Sequence, residues 1–170
     1  DVRLLGAAFA GTGGLEGIAA ATGRMKRRSF GRVFNIEGRL LDSANNIYEF
    51  GDPARPLIDF LDLRDKGRSG FTTLVGWAGS AAATLAALVA STPPAGGGVV
   101  APSIACAKWW TQPAGPLTAD LRGEEGASWG QTAPAIASYL VEQAGGAAIA
   151  NLATAVGWRG MACGIHIDQE

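Results

Sequence analysis

The chain closes on CGIHIDQE, and its single histidine, His166, stands two residues before Asp168 and four before Glu170. On a strand, side chains two apart share a face, so these three would offer one imidazole and two carboxylates to a cation. The competing reading is a solvated C-terminal tail, because termini fray. We adopt the tail and assign no metal site. With one histidine in 170 residues, hydrolase triads are unattractive. The two cysteines, Cys106 and Cys163, read as buried free thiols, and with His166 they do not complete a zinc site.

GRMKRRSFGR gathers Arg24, Lys26, Arg27, Arg28 and Arg32 around Phe30. Such a basic patch suits phosphate groups, an anionic membrane surface or an acidic partner subunit. Nucleic acid is the least favoured of these, since no recognition-fold signature accompanies the patch. Asp59, Asp62 and Asp65 recur every third residue, which reads as the solvated face of an amphipathic turn opened by Pro56. GAAFAGTGGLEG is glycine-rich, but Glu16 stands where a dinucleotide fingerprint needs its third glycine, and no Gly-Lys-Ser/Thr follows.

The elements that must hold these residues divide by charge. Residues 1–68 carry eleven of the fourteen Lys and Arg and nine of the fifteen Asp and Glu. From Ser69 to Ala107 there is no charged residue for 39 positions. The chain therefore reads as two segments, 1–68 and 69–170. In the first, a short helix is expected over Leu15–Arg27. RVFNIEGRLLD and IYEF, joined by SANN, read as the arms of a β-hairpin.

In the second, Phe71–Ser91 is 21 residues long, enough to cross a hydrocarbon layer about 30 Å thick as a helix. Thr72, Gly76, Ser80 and Thr84 are four apart, a stripe of small residues on which another helix could pack. Trp77, Trp109 and Trp110 suit an interfacial belt. A second weakly apolar helix is expected over Ala133–Trp158, interrupted by Glu142, Gln143 and Asn151. Those three and His166 are the side chains able to ligate a cofactor, lipid or pigment, lodged between helices.

The expected fold is thus mainly α: two Ala/Gly-rich helices forming a transmembrane hairpin, joined by a Pro/Gly/Trp-rich connection, after a charged segment with a short β-hairpin. The positive-inside bias places residues 1–68 on the cytosolic, stromal or matrix side. The expected function is that of a structural accessory subunit of a membrane complex, contacting lipid and docking other protein subunits. The alternative is a soluble Ala/Gly-rich coat or shell protein. An enzyme is the third class, and the residues suggest no reaction for it.

Overall fold

The computed structural model describes residues 7–73, 79–123 and 165–167. These residues are mainly β. The strands in chain order are β1 (Arg28–Phe30), β2 (Arg32–Glu37), β3 (Arg39–Asp42), β4 (Ile47–Glu49), β5 (Asp59–Asp65), β6 (Arg68–Ser69) and β7 (Phe71–Thr73). After one helix, α1 (Ala81–Ala90), come β8 (Gly98–Ala101), β9 (Cys106–Trp109), β10 (Leu117–Arg122) and β11 (Ile165–Ile167).

They form three sheets: a four-stranded one ordered β2-β10-β5-β6, a five-stranded one ordered β3-β4-β9-β8-β7, and the pair β1-β11. All pairings are antiparallel except β7 with β8. That parallel pair needs a crossover, and α1 lies within it.

The two larger sheets pack face to face. Val33, Phe60, Leu63, Leu117, Ala119 and Leu121 of the four-stranded sheet meet Val100, Ala107 and Trp109 of the five-stranded one. Phe50 and Phe60 close the contact edge to face, with ring centres 5.5 Å apart. The five-stranded sheet is covered on its other side too. There Leu41, Ile47, Val99, Ala101 and Cys106 pack under Phe9, Ala21, Leu85, Leu88 and Ile104. Each fully buried Leu is worth roughly 1.5–3 kcal/mol over exposure. The chain steps from one sheet to the other at Gly38, where an added Cβ would lie 2.5 Å from the Phe50 ring.

The expected mainly α fold is therefore overturned. Phe71–Ser91 is not one helix. It begins as β7, its residues 74–78 lie outside the described part, and α1 occupies only ten residues. Ser80 starts α1 by accepting a hydrogen bond from the Ala83 amide at 3.2 Å. The helix stops at Ser91, where Lys108 donates from Nζ to the carbonyls of Val89 and Ser91. No helix among the described residues is long and apolar enough to cross a membrane. The transmembrane hairpin, the membrane location and its sidedness fall with that first helix; the second expected helix, Ala133–Trp158, lies outside the described residues. The uncharged run is apolar because β8 and β9 are the centre of a sheet covered on both faces. Trp109 belongs to no interfacial belt; it is 3% exposed, in the core between the sheets.

Two smaller expectations also change. Of the proposed first hairpin arm, only Arg39–Asp42 pairs with Ile47–Glu49, across Ser43–Asn46. Arg32–Glu37 instead joins β10 in the other sheet. The triple-spaced aspartates sit on strand β5, not on a helix. In place of a helix over Leu15–Arg27 there are two single 3-10 turns, Gly14–Glu16 and Ala19–Ala21.

Candidate functional site

β10 alternates strictly between buried and partly exposed residues, from Leu117 to Arg122. Leu117, Ala119 and Leu121 face the core, so Thr118, Asp120 and Arg122 face outward. Asp120 is flanked by an irregularity on both neighbours. On β2, Ala119 pairs with Ile36 and Leu121 with Val33, so Phe34 and Asn35 together oppose Asp120. On β5, Asp120 pairs with Asp62 and Leu121 with Phe60, leaving Leu61 as the extra residue. Two β-bulges thus stand at one level of the sheet, and a bulge re-aims the side chains around it. Asn35 accommodates its bulge with a φ of 55°, a left-handed conformation that Asn tolerates better than most residues.

The re-aimed groups converge on Arg64. Its Nη1 donates to Asp62 Oδ2 at 2.6 Å and to Asp120 Oδ2 at 3.0 Å. Its Nη2 donates to Asp120 Oδ1 at 2.5 Å and to Asn35 Oδ1 at 3.0 Å. Asp120 Oδ1 also accepts from the Asn35 amide at 2.9 Å, and Ser69 Oγ donates to Asp62 Oδ2 at 2.9 Å. The bidentate Arg64 holds the Asp120 carboxyl below the usual carboxylate range, and the pair of carboxylates holds Arg64 firmly protonated. Each Arg64 Nη already has two acceptors. The arrangement is a hydrogen-bonded plate of one guanidinium and two carboxylates, not an acid–base pair waiting for a proton.

Apolar groups bracket the plate. Phe34 is 53% exposed and Leu61 is 37% exposed. One row nearer the strand end, Arg122 faces Arg32 on one side and Asp59 on the other. No ion pair joins Arg32, Arg122 and Asp59 among the described residues, and Arg122 Nε is buried without a hydrogen-bond partner. Like charges directly opposed on a sheet are destabilising, and Arg32 opposite Arg122 is such a pair.

The basic cluster expected to form one outward patch is pulled apart. Arg27 is 2% exposed. Its Nη2 donates to Glu49 Oε2 at 3.0 Å and to the Glu49 carbonyl at 2.8 Å, while Nη1 reaches the Glu37 carbonyl at 2.7 Å. Burial pushes the Glu49 carboxyl up; Arg27 pulls against it. Arg24 donates to the Leu40 carbonyl and stands 4.0 Å from Glu49 Oε1. Lys26 donates to Glu16 at 2.6 Å, which holds the Glu16 carboxyl low. Arg24 and Lys26 also lie over the Phe9 ring, and the buried Arg28 lies over Phe30. Of the five cations only Arg32 is exposed.

The other singled-out residues are dispersed. Thr72 lies on β7, Ser80 caps α1 and Thr84 is buried within it, so these three do not share one helix face; Gly76 lies outside the described residues. Glu142, Gln143, Asn151, Asp168, Glu170 and Cys163 also lie outside them. The His166 backbone belongs to β11, opposite Ser29. Cys106 is a buried free thiol, and burial raises its pKa well above the usual value. Among the described residues no group of three or more His, Cys, Asp and Glu could hold a metal ion.

Residue-level reading missed Arg64 and Asp120, because they are 56 positions apart. The available signal was LTADLR, whose period-two alternation marks a strand with one wet face. Comparison with known proteins finds no match among protein families, curated proteins or solved structures.

Proposed function

We propose that the protein is a structural subunit that docks to a second copy of itself through the outer face of the four-stranded sheet. The observation that carries the reading is the polarity of that face across three strands. Its β2 side bears Arg32 and the exposed Phe34; its β5 side bears Asp59 and the exposed Leu61. Between them lies the Arg64–Asp120 plate. A two-fold contact presents the same patch from both copies. It would set Arg32 of one copy beside Asp59 of the other, and Phe34 beside Leu61. Burying the two apolar groups supplies attraction, and the unpaired row of charges supplies register.

Analytical ultracentrifugation over a range of concentrations tests this. The native chain should reversibly dimerise. Phe34→Glu and Arg32→Glu should each shift it to monomer. Arg32→Glu combined with Asp59→Arg should restore the dimer, because the swapped charges again meet across the two-fold. A native chain that stays monomeric, or a charge swap that fails to restore what the single change removed, overturns the reading.

A further inference from the structure

A second feature lies at the other end of β5. The β5–β6 connection is Asp65-Lys66-Gly67-Arg68, with Asp65 paired to Arg68 across it. Lys66 has φ 48° and Gly67 φ 80°. Two successive left-handed residues make a tight hairpin turn of the type that favours Asn-Gly. Glycine fits the second position without strain, but lysine at the first is an unfavourable choice. Residues held in strained conformations cluster at ligand clamps and other functional sites.

Two other turns meet this one. Both Asp65 carboxylate oxygens accept backbone hydrogen bonds, from the Ala114 amide at 2.8 Å and the Gly115 amide at 2.9 Å. Gly115 lies against the Lys66 stem, where an added Cβ would meet Lys66 Cβ at 3.2 Å. On the opposite side, Pro94–Gly97 forms a turn in which the Gly97 amide donates to the Pro94 carbonyl at 3.0 Å. Between the three turns is a cleft of about 490 Å³ lined by Asp65, Lys66, Arg68, Gly96 and Ala114. Lys66 and Arg68 are exposed and form no ion pair among the described residues. Asp65 forms no ion pair with either; its oxygens accept from the 114–115 amides, and with one carboxylate against two cations the rim keeps a net positive charge.

We propose that this cleft binds a small phosphate-bearing molecule, with Lys66 and Arg68 gripping the phosphate oxygens. An ammonium and a guanidinium on one rim suit a multivalent oxyanion. The cleft volume falls in the range that holds small organic ligands and exceeds what a bare phosphate needs. None of Arg32, Phe34 or Asp59 takes part, so the inference stands apart from self-docking.

Amide chemical-shift titration of the full chain with sodium pyrophosphate, at constant ionic strength, tests it. The expected result is saturable shifts at Lys66, Arg68, Gly96 and Ala114. Arg68→Gln should weaken binding about fivefold or more. Lys66→Asn is the decisive variant, because Asn is at home in the left-handed position. It should leave the melting temperature unchanged or raised while weakening pyrophosphate binding about fivefold or more. Loss of binding in a variant at least as stable as the native chain cannot be ascribed to unfolding. Arg32→Glu should bind as the native chain does. Non-saturating shifts, shifts matched by sodium chloride alone, or undiminished binding by Lys66→Asn and Arg68→Gln would overturn the site. Citrate binding as tight as pyrophosphate would overturn its assignment to phosphate.

Discussion

The two large sheets obey the same strand geometry and differ in what covers them. In β10 burial alternates residue by residue; in β8 all four residues are buried. The five-stranded sheet is a middle layer, with the other sheet on one face and α1 plus the N-terminal turns on the other. Among the described residues the four-stranded sheet is an outer layer, with one face packed and one open. A strand covered twice has no reason to carry charge, whereas a strand covered once must show polar groups to water. The difference also separates the kinds of ion pair. Arg27–Glu49 is sealed beside the middle layer, while Arg64 and Asp120 hold their pair on the outer face, 17% and 19% exposed.

The strongest way to break the comparison is to open the sealed pair. Arg27→Met strands Glu49 in the interior and should cost about 3–5 kcal/mol in denaturant unfolding. Adding Glu49→Leu should recover most of that loss, since a buried pair is often replaceable by apolar groups of similar volume. No recovery would mean that Arg27 acts mainly through the Glu37 and Glu49 carbonyls. Next in size is Leu88→Ala, which empties a wholly buried site where α1 meets the middle layer. A loss of about 2–5 kcal/mol is expected; under about 1 kcal/mol would show that α1 contributes little to the second core.

On the outer face the effect should depend on pH. Arg64 holds the Asp120 carboxyl low, so its stabilisation is present above the unfolded-state value and is lost as pH falls through the folded one. Between about pH 4 and about pH 2 the native chain should therefore lose more melting temperature than Asp120→Asn. Parallel curves would remove Asp120 from the acid response. Smallest of all, Phe34→Ala should change stability by less than about 0.5 kcal/mol at concentrations where the chain is monomeric. A larger loss would mean that the open face is covered within one chain.

The candidate site was poorly legible for a specific reason. Phe60 and Leu63 both face inward although three residues apart, because the bulge at Leu61 adds a position. That spacing imitates a helix, and the regular recurrence of Asp59, Asp62 and Asp65 strengthens the imitation. The basic cluster misled for another reason. Arg27 finds its carboxylate 22 positions away, and nothing local shows that the guanidinium turns inward.

What the amino-acid order determined by itself was local. It set the uncharged stretch that must avoid water, the turn at Ser43–Asn46 that joins β3 to β4, and the Ser80 cap that starts α1. Whether the uncharged stretch enters a bilayer or the middle of a protein was a tertiary decision. Desolvation requires only that apolar residues leave water, and a hydrocarbon layer and a doubly covered sheet meet that requirement equally. The choice lay with pairings between distant segments, β9 with β4 and β7 with β8, and with the β8–β9 pairing beside them. Those pairings satisfy the backbone of β7, β8 and β9 with strands, so among the described residues of the stretch only Ala81–Ala90 is α-helical.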